Sequence, residues 1–342
     1  MSINDETVRN ALMAKLAISD TVDAATRSLA SAWSTAWDEI VAEWSAVVDE
    51  IVNLTDGEWP SRRDIWRATR ATEALKHTAA QLQELTRTAG ITITGDLPAI
   101  ITAAEQWSRT IALSQLPDMG VAVNWGRVNE KALDAIVTRT TQQIESLLKP
   151  LPKQQQSVMR ATLIRGIAVG DNPREAARLM LQRLGGVFDG GRNRAEVIAR
   201  TEMLDAYRAA NTASLNANTS VVASVMWSAT KSDRTCPACL ALDGTTYPVG
   251  TPGPIDHQCG RCTFIPVTKT WKELGFTGIE EPPAYQTGRE WFAQQPEDVQ
   301  RQIMGAERLS RLQSGDLDWD QIAVVRHSGG WRDSIGIRPL AA

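Results

Sequence analysis

The stretch TCPACLALDGTTYPVGTPGPIDHQCGRC, Thr235–Cys262, contains all four cysteines of a 342-residue chain. Cys236, Cys239, Cys259 and Cys262 are spaced C-x2-C-x19-C-x2-C. Each CxxC pair turns two sulfurs toward one point, so two pairs supply the thiolate tetrahedron that zinc accepts, with Zn–S near ~2.3 Å. Between the pairs, Gly244, Pro248, Gly250, Pro252, Gly253 and Pro254 leave little for regular structure and little apolar surface to bury. A bound ion would replace that missing core. Alternatives stand beside this reading. Disulfides or unligated thiols are one, although the first twenty residues show no secretory signal and a reducing cytoplasm disfavours disulfides. A mixed set in which His257 replaces a cysteine is another. A redox CxxC opens a helix in a βαβ setting, a context that Pro237 and the following loop do not suggest. A lone catalytic cysteine partnered by His257 leaves three thiols unexplained. Structural zinc closed by four protein ligands has no open position for chemistry, so the segment is expected to be a staple.

Working outward, the chain is long enough for two or three domains and has an ordinary globular composition. No stretch approaches the ~18 apolar residues of a membrane span. Net charge is −4, unevenly spread: residues 1–56 carry ten acids and three bases. An acidic arm on a nearly neutral body does not suit a dedicated DNA binder, which needs a basic patch. It reads as a solvated helix face or as a docking surface for a basic partner.

The first half predicts long helices. Leu29, Trp33, Trp37, Ile40, Trp44, Val48 and Ile51 follow Val22 at steps of mostly three and four, one apolar stripe on a helix ending at Asp56-Gly57 and Pro60. A second helix is expected from Ser61 to Ala89, stopped by Gly90, and together they form an antiparallel hairpin whose Trp33, Trp37 and Trp44 are either core or the lining of a partner-facing groove. Further helices are expected over Leu97–Leu116, from a cap at Asn124 to Lys149, over Pro152–Val169, and from Pro173 behind Asp171 or Asn172 to Leu184. Gly185-Gly186 and the rest of GGVFDGG then predict a hinge and a domain boundary. After it come a helix over Arg192–Ala217, a strand in VVASVMWSAT, the cysteine segment, a strand in TFIPVT, and a tail of short amphipathic helices and loops. The fold class expected is therefore a mainly α N-terminal half, a long helical hairpin and helical bundle, followed by a small α+β domain with a zinc-knuckle loop and a short-helix tail. The expected domains are 1–90, 91–186, 187–284 and 285–342.

VIARTE (197–202), MWSATKSDRTCPACLALDGTTYPV (226–249) and HQCGRCTFIPV (257–267) occur in this order. Together they resemble the phage Mu F-like head morphogenesis family, the minor capsid proteins of tailed phages. The tail GREWFAQQPEDVQRQIMGAERLSRLQSG (288–315) also resembles that of such proteins from actinobacterial phages. The likeness covers about residues 150–342. One departure is that the usual H-x-x-C-R-C here reads His257-Gln258-Cys259-Gly260-Arg261-Cys262, which shifts Cys259 by one place. Arg200, Thr201 and Glu202 match the family's R-T-E, and Asp233 and Arg234 its D-x-R. Arg200 or Arg234 is expected to pair with Glu202 or Asp233 in a structural cluster.

The resemblance implies a virion protein inside the head near the portal, made in the host cytoplasm and acting in head assembly and genome packaging or delivery. Its implied partners are the portal protein and the major capsid or scaffold protein, with no membrane. Two other classes compete. A capsid maturation protease or ADP-ribosyltransferase-like enzyme would need catalytic residues, but there is no HExxH, GxSxG or NAD-binding signature, so none is assigned. A zinc-ribbon nucleic-acid binder has only Lys231, Arg234 and Arg261 near the cysteines, among Asp233, Asp243 and Asp256. That suits no more than weak, non-specific contact with packaged DNA.

Overall fold

The computed structural model describes residues 3–54, 69–118, 124–148, 173–282, 285–328 and 332–340. The expected breaks at 56–60, the cap at Ser61, the helix over 152–169 and the cap at Asp171 or Asn172 lie outside the described residues. Contacts divide the chain into two compact units. One comprises Asp23–Gly95 and Thr141–Arg200; the other comprises Met1–Val22, Asp96–Thr140 and Thr201–Ala342. None of the described helices is long and apolar enough to cross a membrane.

The first unit is helical. Helix α1 (Asp5–Leu54) begins well before Val22, because the Asn4 carbonyl oxygen Oδ1 accepts the Thr7 N–H at 2.8 Å and caps it. Within the unit, α1 runs beside α2 (Thr69–Gly95). Gln81 Nε2 donates to Glu39, Trp44 Nε1 donates to Thr78 Oγ1 at 3.1 Å, and His77 Nδ1 lies 2.7 Å from Glu43. Residue numbers rise along one helix as they fall along the other, which is the antiparallel hairpin expected. Leu29, Trp33, Ile40 and Trp44 are buried, so the aromatic stripe is core.

Two glycine stops are corrected. Helix α2 passes through Gly90 to Gly95, and Ile93 is fully buried. An interior glycine costs about 1 kcal/mol, whereas burying an isoleucine contributes about 1.5–3 kcal/mol, so continuation wins. The hinge in GGVFDGG is absent: one helix runs Pro173–Asn216 straight through it. Phe188 is buried, with ring centroids 5.1 Å from Trp37 and 6.5 Å from Trp33. A Cβ on Gly185 would sit 3.3 Å from the Trp37 ring. The glycine there admits a neighbouring aromatic ring and does not mark flexibility.

The second unit holds the sheet. Helix α3 (Leu97–Leu113) precedes α4, which spans Glu130–Leu147 and so starts five residues later than a cap at Asn124 predicts. Asn129 is the capping residue, accepting the Lys131 N–H at 2.9 Å. The stretch before it is tied down by Asn218, which bonds both the N–H and the carbonyl of Gly126. After Pro173–Asn216, here α5, come β1 (Val222–Ser228), α6 (Pro237–Leu242), β2 (Thr246–Pro248) and β3 (Thr263–Thr268). The strands form an antiparallel sheet in the order β2-β1-β3, with Val225 opposite both Tyr247 and Pro266. Alternation along β1 sends Val225 and Trp227 to one face and Met226 to the other. Met226, Ile265 and Val267 pack with Ile3, Ala11, Ala14 and Ile111, while Val225, Trp227 and Phe264 pack with Leu215, Cys239 and Cys262. Lys15 Nζ reaches the far end of β1 and donates to the Ser228 carbonyl and hydroxyl, both at 2.9 Å.

The tail forms α7 (Gly288–Ala293), α8 (Glu297–Met304) and α9 (Ala306–Ser314). Phe292, Ile303, Met304, Leu309 and Ile322 gather around Leu240 of α6. A hairpin of β4 (Ala323–Arg326) and β5 (Ser334–Ile337) follows where the sequence suggested loops.

Candidate metal centre

The first cysteine pair sits at the start of α6. Cys236 is the N-cap, with φ −56° and ψ 131°, and Pro237 takes the first helical position, where its missing N–H is harmless. The Leu240 N–H donates to the Cys236 carbonyl at 3.0 Å. CPAC therefore does open a short helix, contrary to the sequence expectation. The turn before it is built by Thr235, whose hydroxyl donates to the Thr230 carbonyl and accepts the Ser232 N–H at 3.2 Å. At the back of α6, buried Asp243 accepts the Ala229 N–H at 2.8 Å and the Tyr285 hydroxyl at 3.0 Å, and Lys231 Nζ lies 3.6 Å away. Lys231 also stacks over the Tyr285 ring at 3.9 Å.

The second pair is held by a group that sequence reasoning missed. The Asp256 side chain is fully buried and accepts the His257 N–H at 2.8 Å, the Cys262 N–H at 2.8 Å and Arg208 Nη2 at 2.9 Å. Arg208, on α5, also donates Nε to the Cys262 carbonyl at 2.8 Å and Nη2 to the Gly260 carbonyl. A Cβ on Gly260 would lie 2.2 Å from the Asp256 carboxylate, so only glycine fits between the two cysteines. Cys259 has φ +58°, and its N–H donates to Thr201 Oγ1 at 3.2 Å. Thr201, Arg208 and Asn211 recur at intervals of seven and three on the buried face of α5, and Asn211 Nδ2 reaches the Phe264 carbonyl at 2.8 Å. A polar stripe on an otherwise apolar helix face was the available signal.

Two overlapping groups of metal-ligating atoms result. Cys236, Cys239 and His257 offer atoms within 4.8 Å of one another, as do Cys239, Asp256 and Cys262. Cys259 lines the same cavity of about 420 Å³, together with Arg234 and Arg261. None of the four cysteines forms a disulfide. The Cys236 thiol is pulled down to about 4 by its hydrogen bond with Cys239, against burial and with help from His257. His257 is pushed up to about 9, first by the Cys236 hydrogen bond and then by Asp256, against burial. Hydrogen bonds to Cys236 and Cys262, together with burial, push the Cys239 thiol up. The donor set of soft sulfur plus imidazole fits zinc and does not fit calcium or magnesium, which take hard oxygen shells.

The expected cluster of Arg200, Glu202, Asp233 and Arg234 does not pair internally in that way. Arg200 Nη1 pairs with Asp23 at 2.5 Å and its Nη2 donates to Thr26. Buried Glu202 pairs with Arg332, which also reaches Asp205 at 2.5 Å. Asp233 accepts from Gln302 at 3.2 Å, and Arg234 stands exposed at the cavity rim. His327 lies 2.9 Å from Asp333 and is in neither group of metal-ligating atoms.

No curated protein and no solved structure matches the chain. Residues 157–265 match the family model described as Phage Mu protein F like protein, a span that takes in α5 from its start, β1, α6, β2 and all four cysteines. The region that builds the candidate metal centre is therefore similar to the phage Mu F-like family over residues 157–265.

Proposed function

We propose that the chain is a structural minor capsid protein of a tailed phage, sited inside the head at the portal, where it acts in head assembly and genome packaging or delivery. The family match is the observation that carries this reading. In it the cysteine segment is a zinc-held staple, not a catalyst. Support for the staple comes from the burial of Asp256 and Arg208 beneath it, a pair whose bonds go to the backbone of the loop itself. Support for a non-enzymatic role comes from Arg200 and Glu202, whose side chains are engaged by Asp23 and Arg332. The nucleic-acid reading weakens because Lys231 is drawn into Asp243 and Tyr285, leaving Arg234 and Arg261 as the bases at the cavity. Two arginines support only shallow, salt-sensitive phosphate binding.

The test is genetic and biochemical. Heads purified from a phage lacking this gene, complemented with the tagged full chain, should carry the protein, and it should co-purify with the portal after capsids are disrupted. Its absence from the heads, or recovery with the tail alone, would overturn the assignment.

A further inference from the structure

We propose that His257 is itself a ligand of the bound ion, completing a site with Cys236, Cys239 and Cys262. The inference rests on the metal-staple reading and specifies its donor set. His257 and the Cys236–Cys239 pair already share one point within ligand reach. Cys262 joins through Cys239, whose sulfur lies within 4.8 Å of the Cys262 sulfur in the second group of ligand atoms. Cys262 is also fixed at its backbone, because its N–H is held by Asp256 and its carbonyl by Arg208.

The tautomer of His257 is set independently. Nδ1 lies 2.9 Å from the Gln258 carbonyl oxygen, which can only accept, so Nδ1 carries the hydrogen and donates it. Nε2, 3.7 Å from Asp256 Oδ1, is then the nitrogen left for the ion, which displaces the proton it carries. A second ring nitrogen donating to a backbone carbonyl is the arrangement that orients metal-bound histidines and raises their basicity. Asp256, the other candidate donor, already accepts from two backbone N–H groups, the Arg208 guanidinium and the Cys239 thiol. Its place is behind the loop, orienting the ligands. The backbone there supports the same division: Gly260 lets Asp256 pass beneath, and the loop turns at Cys259 through a left-handed residue tied to Thr201. A Cys3His site of this kind is closed and tetrahedral.

X-ray absorption at the zinc edge of the purified full chain should show three sulfurs, one nitrogen and the outer-shell scattering of an imidazole. His257→Ala should lower zinc affinity by more than about 100-fold in competition with a chromophoric chelator, beyond the ~10–100-fold cost of losing an orienting partner. His257→Cys should raise the sulfur count by one and restore tight binding, which a merely structural histidine would not do. Four sulfurs without imidazole scattering in the wild type would overturn the His257 assignment and leave the staple standing. An imidazole signal unchanged in His257→Ala would overturn it too. Absence of any tightly held ion would remove both readings, while incorporation into heads would still be decided separately by the genetic test.

Discussion

Asp256→Asn is the most informative single change, because its cost can be worked from the bonds around the carboxylate. Oδ1 takes the His257 N–H and the Cys239 thiol at 3.5 Å; Oδ2 takes the Cys262 N–H and Arg208. An amide of the same shape keeps one oxygen and turns an NH2 toward the other pair of donors. It also leaves the Arg208 charge, only 7% exposed, without its counter-ion. Removing one partner of a buried pair costs about 3–5 kcal/mol. At ~1.4 kcal/mol per decade, local opening should become more frequent by roughly two to three and a half powers of ten. Hydrogen exchange followed by mass spectrometry on the full chain reads this directly, and peptides covering 253–268 and 200–212 should lose protection. Asp233→Asn is the control, since that exposed carboxylate has one long bond to Gln302 and should shift stability by less than ~0.5 kcal/mol. The measurement is made with zinc and after chelation. A loss below ~1 kcal/mol would refute the account of Asp256 as the organiser of the loop. A loss seen only with the ion present would make Asp256 a ligand.

Other outcomes follow from the same geometry. Gly260→Ala places a methyl group 2.2 Å from the Asp256 carboxylate, so it should expose the same peptides at least as strongly as Asp256→Asn in the same exchange experiment. Gly186→Ala and Gly190→Ala meet nothing within 4 Å inside a continuous helix and should each stabilise the chain by ~1 kcal/mol in calorimetry, whereas a hinge would gain nothing. Chelation should raise exchange between Trp227 and Val267 while leaving Thr69–Leu113 protected; equal deprotection of both would refute a local staple. Arg332→Ala removes the partner of buried Glu202 and should cost about 1–2 kcal/mol, discounted because the guanidinium is partly exposed, and should loosen the β4–β5 hairpin in exchange.

What could be read from the amino acids depended on how local the deciding interaction was. The α1 stripe from Leu29 to Trp44 and the strands of VVASVMWSAT and TFIPVT are periodic or short-range patterns, and they stand as expected. Strand β2 hides in a proline- and glycine-rich loop because it exists only through pairing with β1. The uninterrupted helix through GGVFDGG depends on Phe188 meeting Trp33 and Trp37, more than 150 positions away along the chain. The Arg208–Asp256 pair is separated by 48 residues and carries no motif, so the cysteines alone pointed to the site while its foundation stayed hidden. The arginine and glutamate of R-T-E suggested one another by proximity, yet each found its counter-charge on a distant element.

The contact between Lys15 and Ser228 has a consequence for how the molecule is made. The two residues are 213 positions apart, and Ile3, Ala11 and Ala14 wait as long or longer for Met226, Ile265 and Val267. At translation rates of about 5–20 residues per second, the opening turns leave the ribosome roughly 10–40 s before the surface that will cover them has been synthesised. During that time a nascent chain presents an uncovered oily helix to the cell, until β1 and β3 emerge to cover it.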